Sequence, residues 1–206
     1  MANIYERLVL PRLIAASCGN KTLVPLRELV CASLYGNVVE IGFGSGSNVR
    51  HYPSAVDCVV AVEPSDAAWK LSAKARDASP VKVVRGSLDG QRLAEPDGSF
   101  EAALSTFTLC TIPDPAAALA ELRRVLKPGG ELHFLEHGLA PDERVARWQH
   151  RLEPVQKALA GGCHLTRSNA DMLREAGFRI TKLESFYQRG VPRFEGAFSL
   201  GTAARD

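Results

Sequence analysis

The sequence lacks any run of apolar residues approaching the ~20 that a membrane-spanning helix needs. Its apolar N-terminal segment is interrupted by Arg7, Pro11 and Arg12, which does not fit a signal peptide. A surplus of one charge sign is also missing, because a formal net charge of +2 is too small for a strongly cationic nucleic-acid surface. We therefore expect a cytoplasmic protein with no membrane span and no nucleic-acid partner.

Closely spaced cysteines are missing as well. The chain has five cysteines, and no two of them have the C-x-x-C spacing that is typical of zinc sites and redox motifs. Their odd number and wide separation indicate reduced thiols, and they predict neither a disulfide framework nor a metal site. These residues are Cys18, Cys31, Cys58, Cys110 and Cys163.

Strand-like and helical segments alternate through residues 36–138. Segments such as NVVEIGF, DCVVAVEP and GELHFLEHG are nearly all apolar, as expected for strands covered by helices on both faces. We predict intervening helices that include Ser47–Tyr52 and Asp66–Asp77. Two further strand-like segments, FRITKLESFYQ and RFEGAFSLGTA, predict an antiparallel pair near the end of the chain. The pattern as a whole predicts an α/β fold with a doubly wound, mostly parallel sheet of seven strands.

No repeat, low-complexity tract or linker divides the sequence, so residues 1–206 are expected to form a single domain. Residues 1–36 are expected to form a helical cap on it. Residues 140–170 are expected to form a helical insertion that serves as a substrate lid, with an interruption or kink near Pro154.

The segment VVEIGFGSGSN places Gly42, Gly44 and Gly46 directly after an apolar strand. Such a cluster forms a tight turn, or it lets a ligand reach bare backbone at the end of the strand. Glu63 closes the next strand, about 20 residues on, where nucleotide-binding α/β folds place a carboxylate for ribose hydroxyls. The spacing G-x-G-x-G differs from the dinucleotide pattern G-x-G-x-x-G/A. Glu40 suits a cationic ligand such as S-adenosylmethionine, although it could also bind backbone amides.

Four segments, VVEIGFGSGSN, AVEPS, LSTFTLCTIPDP and LRRVLKPGGELHFLEHG, follow one another from Val38 to Gly138. In this order they resemble the motifs of class I S-adenosylmethionine-dependent methyltransferases of the methyltransferase type 11-like group, which have a Rossmann-like fold with an antiparallel last strand. The later segment RWQHRLEPVQKALAGGCHLTR resembles small bacterial relatives of the methyltransferase-like 7 thiol methyltransferases. The animal proteins carry a membrane-anchoring N-terminal segment that we do not expect here.

The resemblance implies S-adenosylmethionine as cofactor and S-adenosylhomocysteine as product. It also implies a cofactor site at the ends of the first four strands. The implied residues are Glu40, Gly42, Gly44 and Gly46 for the methionine part, Glu63 for the ribose, Pro64, Ser87 and Leu88 beside the adenine, and Thr106 and Phe107 near the methyl group. Phe43 is a further implied cofactor-binding residue, and Asn48 is expected to hold the cofactor or cap its helix. Relatives often carry an acid beside the adenine, whereas this chain has Leu88 followed by Asp89.

Methyl transfer requires no metal and no protein nucleophile, but its acceptor must be oriented and deprotonated. The candidate bases are His137, at the end of the LHFLEH strand, and His164, in the glycine-flanked segment GGCHLTR. His133 lies in mid-strand and is expected to be structural. His51 and His150 are expected at surface or helix positions.

We expect a small apolar methyl acceptor, with a thiol sulfur favoured because a thiol ionises near neutral pH. The nitrogen of a lipid amine, the oxygen of a phenol and the carbon of a quinone remain alternatives. A non-catalytic cofactor-binding partner and a nicotinamide oxidoreductase are competing hypotheses, and either a monomer or a homodimer fits. The expected pocket walls are Tyr5, Leu8, Leu109, Cys110, Trp148, Leu152, Phe186 and Tyr187.

Overall fold

The computed structural model describes residues 10–206, whose seven strands form one mixed sheet. The strand order is β3-β2-β1-β4-β5-β7-β6, and β7 alone is antiparallel to its neighbours. The strands are β1 (Gly36–Ile41), β2 (Val56–Val62), β3 (Lys82–Arg85), β4 (Phe100–Thr106), β5 (Leu126–His137), β6 (Arg179–Tyr187) and β7 (Ala197–Ala204). The predicted seven-stranded, doubly wound sheet with an antiparallel last strand is confirmed.

Seven α-helices accompany the sheet in the part of the chain from residue 10 onward. They are α1 (Leu10–Cys18), α2 (Val24–Cys31), α3 (Asp66–Leu71), α4 (Ala73–Asp77), α5 (Pro115–Val125), α6 (Glu143–Leu159) and α7 (Asn169–Glu175). None of these helices is long and apolar enough to cross a membrane.

Both faces of the inner strands β1, β4 and β7 are buried, which explains their nearly continuous apolar character, whereas the edge strands β3 and β6 are largely exposed. Val38 of β1 packs on one face together with residues of α2. Its neighbour Val39 packs on the opposite face with Leu119 of α5 and Leu173 of α7. Successive side chains of a strand alternate between faces, so an apolar strand supplies two cores at once. Helices therefore cover both faces, as the sequence predicts.

Three predicted helices differ from the structure. The segment Ser47–Tyr52 forms only a short 3-10 helix at Val49–His51. The helix predicted over Asp66–Asp77 is divided at Ser72, whose hydroxyl donates to the Trp69 carbonyl at 2.7 Å. A serine that bonds to the preceding turn competes with the helical hydrogen-bond pattern. By contrast, α6 continues through Pro154, so of the expected interruption or kink there, the interruption does not occur.

Gly201 of β7 marks a point where the backbones approach closely. A β-carbon added to this glycine would lie 2.0 Å from the Lys182 carbonyl oxygen. Because that oxygen belongs to a paired strand, we expect Gly201→Ala to lower the free energy of unfolding by about 3 kcal/mol. Ser199→Ala on the same strand is the control, with an expected change within about 0.5 kcal/mol. Urea denaturation measures both, and equal effects would contradict this account of Gly201.

Candidate active site

The glycine loop turns the chain sharply where β1 ends. Gly42, Gly44 and Gly46 have φ values of +64°, +59° and +75°, in the left-handed region that favours glycine. A β-carbon on Gly42 would lie 2.0 Å from Thr108 Oγ1, so close packing excludes a side chain there. A β-carbon on Gly44 would meet no described atom nearer than the Gly42 carbonyl oxygen at 3.7 Å. Gly42 therefore serves the fold, whereas Gly44 leaves open space beside bare backbone.

Glu63 stands at the end of β2 and faces this loop. Its Oε2 accepts a hydrogen bond from the Gly44 amide at 2.7 Å, and its Oε1 accepts one from the Ser65 amide at 2.7 Å. Burial raises the pKa of Glu63, and the two amides oppose that effect. A carboxylate oxygen accepts more than one hydrogen bond, so the contacts leave acceptor capacity for a ligand hydroxyl. The predicted ribose carboxylate thus lies beside the open glycine.

Glu40 lies beneath the loop and is 1% exposed. Its carboxylate accepts hydrogen bonds from the Tyr52 hydroxyl and from Asn48 Nδ2, the latter at 2.9 Å. Asn48 also donates to Thr106 Oγ1 at 3.0 Å, which links β1 to the end of β4. Burial raises the pKa of Glu40 to about 7. The sequence allowed Glu40 to bind either a cationic ligand or backbone amides. In the structure its hydrogen-bond partners are side chains.

Arg27 of α2 completes this network, and no signal in the sequence pointed to it. Its Nη1 donates to Asn48 Oδ1 at 2.6 Å, and its Nη2 donates to the Cys18 carbonyl at 2.7 Å. The side chain is 3% exposed, although a lone arginine in an amphipathic segment ordinarily lies on the surface. Its cation offsets part of the negative charge that Glu40 brings under the loop.

The predicted adenine end of the site is more open. Ser87 is bound by Glu95, which accepts from the Ser87 amide at 3.1 Å and from its hydroxyl at 2.8 Å. Leu88 is 54% exposed, consistent with a position that a planar ligand could cover. Glu95 was not anticipated as a member of this region. It is the acid that the structure places against Ser87, while Asp89 binds Gln91.

The end of β4 carries a strained residue. Phe107 has φ +54°, and it is the one positive-φ residue other than glycine in residues 10–206. A bulky side chain in this conformation costs of order 1–3 kcal/mol, and such strain concentrates at ligand sites. The Phe107 ring packs edge-on against Phe198, with centroids 5.1 Å apart. Next to it, Thr106 is buried in the Glu40 network.

His137 ends β5 and faces two cysteines. Its Nδ1 lies 3.5 Å from Cys163 Sγ, and the ligand atoms of Cys110, His137 and Cys163 all lie within 4.8 Å of one another. Hydrogen bonds from Cys110 and then His137 lower the pKa of the Cys163 thiol. His137 Nε2 is buried and has no hydrogen-bond partner among the described residues. The sequence identified His137 but did not bring these three residues together.

The other histidines have different surroundings. His164 Nδ1 lies 3.0 Å from Glu153 Oε1, so its ring binds the side of α6, while its amide donates to the Cys110 carbonyl. His133 Nδ1 contacts the Val30 carbonyl at 3.1 Å, in keeping with a structural role. His150 is exposed, as expected. His51, expected at a surface or helix position, lies in the 3-10 helix Val49–His51, with its side chain only 5% exposed.

The predicted pocket walls do not all converge. Trp148 is 57% exposed on α6, which contradicts its expected place in a pocket. The Tyr187 hydroxyl donates to Asp142 at 2.7 Å in an exposed contact. Phe186 does reach the site, because its ring lies 6.1 Å from that of Phe198. Leu109 and Cys110 are buried near His137, and Leu152 is half-buried. Tyr5 and Leu8 lie outside the described residues.

Glu136 precedes His137 and fixes the loop that follows β4. Its Oε1 accepts from the Ser105 hydroxyl at 2.7 Å and from the Thr108 amide at 3.0 Å. The amides of Leu109 and Cys110 also favour its ionised form, although burial dominates and raises the pKa to about 7. A buried carboxylate thus positions the loop that carries Cys110.

Similarity to known proteins extends to both the fold and the sequence. An S-adenosylmethionine-dependent methyltransferase of Thermotoga maritima superposes with a TM-score of 0.66, with 26% identity and 98% of each chain covered. The chain is 31% identical over 131 residues to the phosphatidylethanolamine N-methyltransferase of Cereibacter sphaeroides, covering 61% of this chain and 59% of the relative.

A second relative is the thiol S-methyltransferase TMT1B of Rattus norvegicus. The two sequences are 32% identical over 165 residues, which cover 77% of this chain and 66% of the relative. Residues 39–134 also match a family model described as a methyltransferase domain. The chain belongs to the methyltransferase-domain family.

The methyltransferase-domain match covers only a portion of the site. Residues 39–134 include the glycine loop, Glu63 and Phe107, all at the predicted cofactor side. His137 and Cys163 lie beyond the matched segment, on the side where the lid was predicted. The residues expected on the acceptor side therefore lie partly inside the matched segment, as Cys110 does, and partly beyond it.

Two buried carboxylates predict an unusual pH dependence of stability for this methyltransferase domain. Because the folded-state pKa values of Glu40 and Glu136 are raised to about 7, the folded state binds more protons than the unfolded state between about pH 4.5 and 7. The free energy of unfolding should therefore fall as pH rises through this window, by roughly 3 kcal/mol per group at most.

Glu136→Gln mimics the protonated form and should remove about half of that decrease. Urea denaturation at a series of pH values measures it. Glu175→Gln, at an exposed position on α7, is the control and should keep the full decrease. An unchanged pH profile for Glu136→Gln would show that this carboxylate titrates outside the window.

Proposed function

We propose that the protein is an S-adenosylmethionine-dependent methyltransferase that methylates the sulfur of a small apolar thiol. The observation that carries the cofactor assignment is the open backbone at Gly44 beside the buried Glu63 carboxylate. Open α/β sheets bind ligands at the carboxyl ends of their strands, where these two residues lie. The membership in the methyltransferase-domain family supports the same assignment.

Two features of the loop support binding of the ribose and of the methionine part of the cofactor. Glu63 offers lone pairs to ribose hydroxyls, and bare backbone at Gly44 admits the methionine part without a β-carbon clash. The hydrogen bonds of Glu40 with Asn48 and Tyr52 hold the backbone of this region in place. The bound cofactor would supply an electrophilic methyl group on its sulfonium, so the chain itself must orient the acceptor and exclude water.

A thiol acceptor is supported by the polar groups beside the end of β4. The Phe198 ring lies between those of Phe107 and His137 in a chain of contacts, with ring centroids 5.1 and 6.4 Å away. This supports placing the His137–Cys163 pair on the acceptor side of the site. A thiol must lose its proton before it attacks, and His137 is the residue we expect to handle that proton. Relatives named thiol S-methyltransferases support the choice of sulfur.

The acceptor class can be tested directly with isotopically methyl-labelled S-adenosylmethionine. A panel of small apolar thiols should be methylated, and amines, phenols and quinones of the same size should react more slowly. Preferred methylation of the amines would move the assignment to nitrogen, as the similarity to a phosphatidylethanolamine N-methyltransferase suggests. Cofactor binding with no methylation of any acceptor would favour a non-catalytic partner instead.

Glu63 provides the sharpest test of the cofactor site. Because a hydrogen bond to a charged group contributes about 1.5–3 kcal/mol, Glu63→Ala should weaken S-adenosylhomocysteine binding by roughly 10–100-fold. Asp66→Ala is a matched control, since it removes an exposed carboxylate three residues away that binds Arg85. Calorimetry gives both affinities, and thermal unfolding confirms that the variants fold. Equal affinities for the two variants would remove Glu63 from the site.

A further inference from the structure

Three soft metal-binding groups meet at one place, although they come from three separate elements. Cys110 lies in the loop after β4, His137 ends β5, and Cys163 lies between α6 and α7. Each offers one ligand atom, and these atoms lie within 4.8 Å of one another. No step of the chemistry described above uses both cysteines.

The spacing of these atoms suits a tetrahedral metal ion. With Zn–S distances of about 2.3 Å and Zn–N distances of about 2.0 Å, two ligand atoms of a tetrahedron lie about 3.5–3.8 Å apart. Cys163 Sγ and His137 Nδ1 are 3.5 Å apart, which meets this requirement without movement. The upper bound of 4.8 Å for the set means that side-chain shifts of about 1 Å complete the geometry.

The surroundings hold the three residues in place. The backbone at Cys110 is fixed because its carbonyl accepts from the His164 amide at 2.8 Å, next to Cys163. Arg167 Nη1 donates to the neighbouring Leu109 carbonyl at 2.6 Å. His137 and Cys110 are buried and Cys163 is partly exposed, so a fourth ligand would have to approach from the Cys163 side.

We propose that Cys110, His137 and Cys163 form a three-ligand site for Zn²⁺ or a similar soft divalent cation, with the acceptor thiolate as the fourth ligand. A three-ligand site with an open position is the arrangement found in catalytic zinc sites. The metal site follows from the three side chains alone. The role of the acceptor as fourth ligand rests additionally on the proposed thiol methylation.

The charges and protons balance. The cysteines lose two protons when the metal binds, and two thiolates with neutral His137 make the site neutral overall. When His137 Nδ1 is bound to the metal it cannot accept the acceptor proton, so in this form the acceptor thiol would lose its proton to solvent and bind as a thiolate. The resulting net charge of −1 favours attack on a sulfonium methyl. The sulfur–methyl bond of the cofactor breaks as the new bond forms, and its electron pair stays on S-adenosylhomocysteine. The neutral thioether product is a weaker ligand than the thiolate and leaves.

Cobalt titration tests the site without substrate or cofactor. The full chain, stripped with a chelator and kept reduced with a phosphine, should bind one Co²⁺ with thiolate-to-cobalt absorption in the near ultraviolet and tetrahedral visible bands. Cys110→Ser and Cys163→Ser should each weaken this binding at least about 10–100-fold, because even an outer-shell substitution costs that much. Cys58→Ser, a half-buried cysteine of β2, is the control and should leave the spectrum unchanged.

Three results would overturn the metal site. These are the absence of thiolate bands in the wild type, equal loss in Cys58→Ser, or a Cys110–Cys163 disulfide that persists under reductant by mass spectrometry. Displacement of bound Co²⁺ by Zn²⁺, with loss of the bands, would support zinc as the preferred ion.

The fourth ligand is tested by adding a small apolar thiol to the cobalt form. A shift of the charge-transfer bands that is missing in Cys163→Ser supports coordination of the acceptor, and unchanged bands overturn that role while the metal site stands. Methylation of the thiol should fall at least about tenfold after chelation and return with Zn²⁺. If cobalt binds but no thiol is methylated with or without metal, the proposed function fails and the metal site does not.

Discussion

The buried carboxylate of Glu40 constrains the whole carboxyl edge of the sheet. A carboxylate removed from water must find hydrogen-bond donors, and here Tyr52 and Asn48 provide them. Asn48 is positioned in turn by Arg27 and by Thr106, so one buried charge ties together α2, the glycine loop and the end of β4. This network holds the glycine loop in place, and the loop leaves bare backbone open at Gly44.

Glu136 of β5 has a similar organising role on the acceptor side. Its carboxylate accepts from Ser105 and Thr108 and so shapes the loop that leads to Cys110. The expected cofactor side and the expected acceptor side thus each contain a buried acid, and the chain at the end of β4 includes the strained residue Phe107. Each acid loses its hydration when it is buried, which raises its pKa. This loss accompanies the fixing of the glycine loop by Glu40 and of the loop after β4 by Glu136.

The sheet and the cofactor loop were predictable because their signals are local. An apolar strand followed by Gly42, Gly44 and Gly46, with Glu63 ending the next strand, can be recognised within one short segment. Arg27 could not be recognised, because its partners Asn48 and Thr106 lie 21 and 79 residues away in the sequence. The proximity of Cys110, His137 and Cys163 could not be recognised either, because these residues are also far apart in the sequence. Trp148 was expected in a pocket wall but is exposed on α6. Helical periodicity identifies an apolar face and does not say whether another element covers it.

Residues that surround the proposed cofactor come from one continuous stretch, whereas Cys163 comes from the segment between α6 and α7. Contacts of this segment with the rest of the site include those of Arg167 with the loop after β4. Under the proposed function, two separate stretches of the chain therefore serve the two reactants. An exchange of the segment between α6 and α7 would then change the range of acceptors and leave the affinity for S-adenosylmethionine in place.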